Sequence, residues 1–290
     1  MLEITGVTKR FQEFALKDIT FSLPGGYICG LMGRNGAGKT TLLRLVTGLY
    51  GADAGEIKID GERAGEKSCL EKTGVVFNEP IFPQNMTPRQ CGDVFGSRYK
   101  GYDAGLFAAN CRRFGLPEDV RVGKLSKGEG LKLQFAFALS RHPRLLLLDE
   151  PTGNFDPDFR REFLRTVTEF VSDGEHSIVL ATHILEDLEQ IADCIVYLKR
   201  GSAAFAGERT QLEDSYRLVQ GESYKLRLLN KERVIGAEYG AHTARALVRH
   251  KPLYEYDGQV EVSVPSLADW MYFMEKEVGD IGEHAGRYKQ

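Results

Sequence analysis

The nine residues GRNGAGKTT, Gly33 to Thr41, decide which kind of fold this chain can adopt. The apolar stretch YICGLM before them predicts a buried strand, and the leucine-rich stretch TTLLRLVTGL that overlaps their end predicts a helix. A glycine-rich loop between a strand and a helix can wrap its backbone N–H groups around phosphate oxygens, which side chains at the glycine positions would obstruct. The stretch therefore predicts an α/β protein that binds a nucleoside triphosphate.

Most residues of this loop have a predicted role. We expect Lys39 to reach the β- and γ-phosphates and Thr40 to give its hydroxyl to Mg²⁺. The other predicted nucleotide contacts of the loop are Gly33, Asn35, Gly36, Ala37, Gly38 and Thr41. A flexible turn without a ligand is the alternative for an isolated match, and the strand and helix on either side argue against it.

A second candidate site lies in the stretch RLLLLDEP. Its four leucines predict a buried strand, and Asp149 and Glu150 follow at the carboxyl end, where parallel sheets bind ligands. Asp149 can hold Mg²⁺ through water, and Glu150 can activate an attacking water as a general base. Taken alone, the pair could equally be a strand end followed by an acidic turn.

Length and composition bound the function classes. The 290 residues allow one large domain or two smaller ones, and a net charge of −3 gives no support to a nucleic-acid-coating protein. The five cysteines are scattered without a CxxC pair, which favours free thiols in a reducing cytosol. We find no secretory signal in the first residues, and the longest aliphatic run is far shorter than the ~20 residues of a membrane span.

Two more segments place the chain in a family context: KLSKGEG before the acidic pair and IVLATHILEDL after it. With them the chain resembles the nucleotide-binding subunit of an ATP-binding cassette (ABC) transporter from about Met1 to Gly207. Residues 33–40 match the Walker A loop, residues 125–129 match the LSGGQ signature, and residues 145–150 match Walker B with its following glutamate.

The resemblance assigns roles to further residues. In this family two cassettes enclose two nucleotides head to tail, so Ser126 and Gly128 of the signature would contact the γ-phosphate held by the other subunit. Asp156 matches the D-loop aspartate, and His183 matches the H-loop histidine that holds the water and Glu150 in line. Asp156 could also be a helix N-cap, and a lone histidine such as His183 is more often found at a helix start.

Lys39, Glu150 and His183 are thus the predicted catalytic residues. Phe11 lies where the family carries an aromatic ring that stacks on adenine, and a core position in the first hairpin is the alternative. Asn78 stands where the family usually has the Q-loop glutamine. Asn78 is predicted as a Mg²⁺ ligand. Because its side chain is one methylene shorter than that of glutamine, the direct contact with Mg²⁺ could be lost or replaced by one through water.

Other departures point to a branch of the family. Glu129 replaces the last glutamine of the signature, and Lys127 replaces its first glycine. The LSKG sequence and the Q-loop without glutamine resemble the export branch that handles peptides, antibiotics and polysaccharides. The segment from Asn78 to Gln90, with its apolar stretch PIFPQNM, would transmit contact with the membrane subunit; a turn-rich loop is the alternative.

The predicted fold is α/β: a phosphate-loop NTPase core of the ABC type with an antiparallel β subdomain and a helical subdomain. We assign residues 1–206 to the ATPase domain, with helices over about 87–142, and residues 207–290 to a small α+β accessory domain. In that accessory domain SYKLRLL and QVEVSV predict strands, ARALV predicts a short helix, and Ser266 with Asp269 predicts a capping box.

The functional prediction is an ATP-hydrolysing subunit that dimerises around two MgATP and powers a separate integral membrane permease, an exporter. Its partners would be a second ABC ATPase subunit, identical or different, and the permease, with no nucleic acid. Its location would be cytoplasmic, peripheral on the inner face of the cell membrane. There are two alternatives. One is a soluble ABC-type ATPase with a non-transport partner, which would normally have a tandem cassette or a coiled-coil insertion. The other is a catalytically silent cassette, which would lack Lys39, Glu150 or His183.

Overall fold

The computed structural model describes residues 1–250 and 260–276. The chain forms two compact units, residues 1–206 and residues 207–290. None of the helices in the described part combines the length and the apolar character that crossing a bilayer requires.

The strands of the first unit form two sheets. In chain order they are β1 (Leu2–Arg10), β2 (Ala15–Leu23), β3 (Ile28–Met32), β4 (Ala54–Ile59), β5 (Glu62–Arg63), β6 (Thr73–Val76), β7 (Leu145–Asp149), β8 (Ser177–Ala181), β9 (Cys194–Lys199) and β10 (Ser202–Glu208). The central sheet has the order β10-β9-β3-β8-β7-β6, and the strands from β9 to β6 run parallel. The second sheet, β2-β1-β4-β5, is antiparallel.

Seven α-helices lie in the described residues of the first unit. They are α1 (Lys39–Val46), α2 (Lys67–Lys72), α3 (Pro88–Gly96), α4 (Ala104–Arg113), α5 (Lys127–Leu139), α6 (Pro157–Val171) and α7 (Leu185–Ile191). Short 3-10 turns cover residues 122–124 and 152–154. Helices α3 to α5 surround an aromatic cluster in which Phe137 contacts Phe82, Tyr102 and Phe107 at ring-centroid distances of 5.3–6.0 Å. The α/β fold with an antiparallel sheet and a helical region is thus confirmed.

The sequence pattern of the central strands explains why the sheet forms. All five residues of β3, β7 and β8 are buried, as expected for parallel strands covered on both faces. In the antiparallel sheet, buried and exposed residues alternate at the start of β1, so one face packs into the core and the other faces solvent. A hydrophobic core lies where this sheet, α1 and the central sheet meet, and includes Ile4, Leu31, Leu42 and Leu147.

The second unit is a four-stranded antiparallel sheet with helices. After α8 (Arg209–Ser215) come β11 (Tyr216–Glu222), α9 (Ser223–Leu226), β12 (Val234–Tyr239), β13 (Thr243–Arg249), β14 (Glu261–Ser263) and α10 (Leu267–Glu275). The spatial order of the strands is β12-β13-β11-β14. Helix α10 packs on β12 and β13 and buries Trp270 and Phe273.

Two predictions for this unit were wrong. The stretch ARALV is a strand inside β13, because pairing with β11 on one side and β12 on the other outweighs the helix propensity of its alanines and leucine. The stretch SYKL forms the short helix α9, in which Leu226 is buried and Tyr224 is exposed. The strand predicted over QVEVSV is present only in part, as β14 (Glu261–Ser263): Val260 and Val264 lie outside the strand, and Gln259 lies outside the described residues. Ser266 caps α10 by accepting from the Asp269 N–H at 3.0 Å.

Candidate functional site

Three neighbouring strands bring the predicted catalytic segments to one edge of the central sheet. Strands β3, β8 and β7 are adjacent and parallel, so their carboxyl ends lie side by side. The phosphate loop, residues 33–38, leaves β3; Asp149 ends β7 and Glu150 follows it; His183 follows β8. Residues that are up to 150 positions apart in the chain therefore meet through strand order alone.

Backbone geometry explains the glycines of the phosphate loop. Gly33, Gly36 and Gly38 have φ angles of 151°, 80° and 111°, which residues with a Cβ rarely adopt. A Cβ on Gly38 would also lie 2.5 Å from Leu16 Cδ2, and one on Gly33 would collide with the Leu198 carbonyl oxygen. In the rest of the loop and the first helical turn, Asn35 and Gly36 are exposed, Ala37 is buried, and Thr40 and Thr41 are half-buried.

Lys39 is held at the centre of this edge. Its side chain is only 7% exposed, and its Nζ donates to the Gly33 carbonyl at 2.7 Å. The same ammonium lies 3.7 Å from Glu150 Oε1. The fold thus buries the Lys39 ammonium inside the phosphate loop and next to Glu150, the predicted general base.

Glu150 and His183 contact each other directly. His183 Nδ1 and its backbone N–H lie 2.5 Å and 3.1 Å from Glu150 Oε2. Glu150 adopts a left-handed backbone with φ of 50°, and its N–H continues the β7–β8 ladder by donating to Ala181. Such strain persists only where the surrounding structure enforces it, and here the strand ladder and the histidine contact do so. His183 itself is 62% exposed on its side chain, so its ring remains open to a ligand.

Asp149 and Thr40 fit a divalent cation. The Thr40 hydroxyl donates to Asp149 Oδ2 at 2.7 Å, whereas Asp149 Oδ1 is buried without a hydrogen-bond partner among the described residues. Burial raises the pKa of the Asp149 carboxyl, against the Thr40 hydrogen bond that lowers it. A hydroxyl and a carboxylate with an unused oxygen are the hard oxygen donors that Mg²⁺ prefers.

Phe11 lies in the loop between β1 and β2. Its side chain is 41% exposed, which argues against the alternative of a core position. Its ring makes an edge contact with Tyr50 at 5.7 Å and stacks on Phe14 at 6.3 Å. A Cβ on Gly38 would lie 2.9 Å from Phe14, so this aromatic pair adjoins the phosphate loop. The ring of Phe11 is therefore available for stacking beside the predicted nucleotide site.

The signature residues form a separate group. Ser126 caps α5 and forms a reciprocal capping box with Glu129: Ser126 Oγ accepts from the Glu129 N–H at 3.2 Å, and Glu129 Oε2 accepts from the Ser126 N–H at 2.7 Å. A Cβ on Gly128 would lie 2.5 Å from the Asn154 carbonyl oxygen. Within the described residues, neither Ser126 nor Gly128 hydrogen-bonds to the phosphate loop of its own chain. Glutamate at position 129 thus keeps the cap intact.

Asp156 and Asn78 have different surroundings. Asp156 caps α6, accepting from the Phe159 N–H at 2.9 Å, and this hydrogen bond lowers the pKa of its carboxyl. Asn78 is exposed after β6, and nothing in the described part of the chain joins it to Thr40 or Asp149. The amide of Gln134 instead anchors the backbone on both sides of Asn78. Metal binding by Asn78 stays a prediction.

The predicted transmission segment, residues 78–90, is only partly exposed. Ile81 is 42% exposed and lines a cavity of about 340 Å³ together with Asn78, Val122 and Lys127. Phe82 is buried, because its ring packs against Phe95 and Phe137 in the helical region. The expectation that the whole stretch PIFPQNM forms a surface is therefore wrong at Phe82.

Sequence reasoning missed a buried polar cluster behind the catalytic segments. Asp187 of α7 is fully buried and bonds both to Thr152 and to Arg160 of α6. The sequence contains a signal for it: Ile184, Leu188 and Ile191 form an apolar helical stripe, and Asp187 occupies the position within that stripe that an apolar residue would take.

Comparisons with known proteins agree with this geometry. A family model described as "ABC transporter" matches residues 16–153. The chain is 30% identical over 224 residues to the ABC transporter ATP-binding protein YtrB of Bacillus subtilis, covering 76% of each chain. It is 34% identical to the Nod factor export ATP-binding protein I of a Rhizobium species, covering 69% of this chain and 68% of the relative. It is also 34% identical to the sulfate/thiosulfate import ATP-binding protein CysA of Ralstonia nicotianae, covering 71% and 58%.

Solved structures also match. One described as "Structure of ATP binding subunit of ABC transporter" superposes with a TM-score of 0.67 at 25% sequence identity, covering 73% of this chain and 92% of its own. The order of strands, loop and helices at the candidate site is therefore a shared architecture.

Proposed function

The chain belongs to the ABC transporter family, whose ATP-binding subunits are ATPases, and from that premise we propose that it dimerises around two MgATP and drives a separate membrane permease. The observation that carries the proposal is the contact series Lys39–Glu150–His183 at the edge of the central sheet, with Thr40 and Asp149 beside it.

Each group has a chemical role at this edge. Glu150 would accept a proton from the attacking water, because its carboxylate is held by His183 and is only 15% exposed. Lys39 would stabilise negative charge on the β- and γ-phosphates, and the loop N–H groups would bind their oxygens. Thr40 and Asp149 would hold Mg²⁺, which supplies further charge neutralisation there. Phe11 would stack on the adenine ring.

A dimer is supported by the position of the signature. Ser126 and Gly128 lie at the N-terminus of α5, where the positive end of the helix dipole and the free N–H groups favour a bound phosphate. Within the described residues, neither of them hydrogen-bonds to the phosphate loop of its own chain. A second subunit placed head to tail would supply its loop to them. A monomer is then expected to hydrolyse ATP very slowly.

The permease is proposed to dock beside the transmission segment. Gln134 ties this segment to α5, so a force on the segment would reach the signature helix. The exposed Ile81 at the cavity mouth offers an apolar contact. The subunit would then lie at the inner face of the cell membrane. The export direction rests on LSKG and Asn78 alone, and transport in sealed inside-out vesicles tests it: cargo accumulating inside supports export, and loss of preloaded cargo supports import.

The experiment that tests the core proposal uses wild type and Glu150→Gln. We expect Glu150→Gln to shift from monomer to dimer mass with MgATP, since the binding groups remain and the base is lost. We expect the wild-type rate to rise faster than linearly with protein concentration. Lys39→Ala, the control, should lose nucleotide affinity instead.

Two outcomes would contradict the proposed mechanism of ATP hydrolysis. Unchanged turnover in Glu150→Gln would remove Glu150 from the mechanism, and normal ATP affinity in Lys39→Ala would remove the phosphate loop. If MgATP leaves Glu150→Gln monomeric, the homodimer is excluded and a different second cassette is required. Copurification with a soluble complex and no membrane protein would favour the non-transport ATPase.

A further inference from the structure

We infer that Asp187 is a positioning residue, which fixes the segment carrying Glu150 against the segment carrying His183. The inference rests on the proposed function, because it concerns how those two catalytic groups are aligned. It adds a residue that neither the phosphate loop nor the acidic pair contains.

The contacts of Asp187 join three parts of the chain. Its Oδ2 accepts from the Thr152 hydroxyl at 2.6 Å, and its Oδ1 accepts from Arg160 Nε at 2.7 Å. The second guanidinium nitrogen of Arg160 is also 2.7 Å from Oδ1. Both carboxylate oxygens are therefore engaged, one by the turn after β7 and the other by α6.

Asp187 and its two partners stand close in sequence to three predicted site residues. Thr152 comes two residues after Glu150, and Asp187 comes four residues after His183. The third, Arg160, comes four residues after the helix cap Asp156, whose carbonyl accepts from the Arg160 N–H. A shift of any one segment would thus break a bond to Asp187.

Burial makes this junction stiff. Asp187 is 0% exposed and Thr152 is 2% exposed, so water cannot replace a lost partner. A buried carboxylate that loses its hydrogen-bond donor keeps the full desolvation cost, which resists separation of the segments.

Stiffness matters because Glu150 and His183 must stay in direct contact. Glu150 Oε2 lies 2.5 Å from His183 Nδ1, and the two residues follow different strands, β7 and β8. Within the described residues, the β7–β8 ladder ends at Ala181, which pairs with Asp149 and accepts from the Glu150 N–H, so His183 lies beyond the last backbone bond between these strands. A displacement of about 1 Å at reacting groups can cost about 100-fold in rate.

The chain offers a matched control on the same helix. Thr166 of α6 accepts from the Arg113 guanidinium at 2.9 Å, and Arg113 Nε donates to Glu162 at 2.7 Å. This group also combines an arginine, a carboxylate and a buried threonine, whose hydroxyl here donates to the Glu162 backbone carbonyl at 2.8 Å. None of its members lies within four residues of a predicted catalytic residue. Thr166→Val therefore measures how much the loss of a buried threonine hydroxyl destabilises the fold, without disturbing the catalytic segments.

The test compares Thr152→Val and Asp187→Asn with Thr166→Val in the full chain. Valine keeps the shape of threonine and deletes the hydroxyl, so Thr152→Val can be read even if Asp187→Asn fails to fold. We expect kcat to fall about tenfold or more in Thr152→Val, with the ATP Kd changed less than about threefold, because positioning is lost and binding groups remain. Thr152→Ser, which keeps the hydroxyl, should restore kcat.

A second readout does not depend on turnover. The His183 N–H donates to Glu150, so its amide hydrogen exchange reports whether the two segments stay together. We expect faster exchange at residues 182–184 in Thr152→Val and unchanged exchange there in Thr166→Val.

Two results would overturn the inference: a kcat in Thr152→Val no lower than in Thr166→Val, or exchange at residues 182–184 that stays at the wild-type rate. A different result would show that the proposed function itself is wrong: Glu150→Gln and His183→Ala would then keep the wild-type turnover. If those two variants are inactive while Thr152→Val is fully active, only the role of Asp187 is wrong.

Discussion

Gly33 and Gly36 share a positive backbone φ angle but differ in the space around them. At Gly33 an added Cβ would collide with the backbone carbonyl of Leu198 on β9, which cannot move aside without breaking the sheet. At Gly36 an added Cβ meets nothing within 4 Å, so only the left-handed φ opposes a side chain. The sequence motif predicts both glycines, but only the folded chain separates these two reasons.

We predict that Gly33→Ala destabilises the protein far more than Gly36→Ala. The strain of a left-handed alanine costs about 1–2 kcal/mol, which should be the whole effect at Gly36. Gly33→Ala adds a collision with backbone and should lower the unfolding free energy by more than twice that amount. Urea unfolding of both variants measures the difference, and equal losses would contradict the close approach to Leu198.

Asp149 gives a prediction with a pH dependence. Burial raises the pKa of this carboxyl in the folded state above its unfolded value, so the folded protein binds the proton more tightly. Its contribution therefore becomes destabilising as pH rises from the unfolded pKa through the raised folded pKa. Asp149→Asn should then raise the melting temperature of the ligand-free protein at pH 7, by about 2–4 °C for each kcal/mol of relieved desolvation.

The gain should shrink as pH falls through the raised folded pKa and should be gone below about 4, where the wild-type carboxyl is protonated in both states. Addition of MgCl₂ should stabilise wild type and leave Asp149→Asn unchanged, because the amide cannot replace the carboxylate on the cation. Thermal unfolding across pH, with and without MgCl₂, measures both effects. A ligand-free Asn variant that melts below wild type at pH 7 would contradict the uncompensated burial of Oδ1.

Helix α5 shows how an element tolerates departures from a family pattern. Glu129 replaces glutamine, yet its carboxylate closes the capping box with Ser126, and a negative charge in the first turn suits the helix dipole. Lys127 is exposed at the first position of the helix and needs no particular partner there. The start of this helix is therefore determined by Ser126 and residue 129 together.

We predict that Ser126→Ala costs about 1 kcal/mol of stability through loss of the cap, whereas Glu129→Gln is nearly neutral. Ser126→Ala should in addition weaken the MgATP-dependent dimer, since the hydroxyl would contact the opposite phosphate. Chemical unfolding and apparent mass in the Glu150→Gln background measure the two effects. A loss of stability in Glu129→Gln equal to that in Ser126→Ala would contradict the view that an amide can serve in the capping box.

Elements differ in how well the sequence predicts them. Strand β7 and the phosphate loop are predictable because four leucines and a spaced set of glycines each have one physical explanation. Strand β13 is not, because ARALV has helical propensity and becomes a strand only through its two neighbours. Asp187 is intermediate: its place in an apolar helical stripe is visible in the sequence, but its partners Thr152 and Arg160 are not, since they come from other elements.

The chain carries its five cysteines as free thiols, and two of them, Cys29 and Cys194, contact each other on the paired strands β3 and β9. Four are buried and one is half-buried, and all five are free, as the scattered spacing predicts. Burial raises the pKa of Cys91 to about 11 and that of Cys111 to about 12, so neither forms a thiolate near neutral pH. Covalent cross-links thus contribute nothing to the stability of either unit.

We predict that the native protein shows at most one readily labelled thiol, Cys194, and that all five react after denaturation. A thiol reagent followed by intact mass measures the number, and the melting temperature should be the same with and without reductant. Rapid labelling of two or more thiols in the native state would contradict the buried positions of Cys29, Cys69, Cys91 and Cys111.

The left-handed backbone of Glu150 bears on which inactive variant is suitable for trapping experiments. Glycine or asparagine at this position would relax the backbone as well as remove the base, so the resting protein itself would change. Glutamine keeps the side-chain length and the same unfavourable φ angle. Differences between Glu150→Gln and wild type can therefore be attributed to the lost charge. In a glycine or asparagine variant, the effect of losing the base could not be separated from the effect of a more stable ligand-free protein.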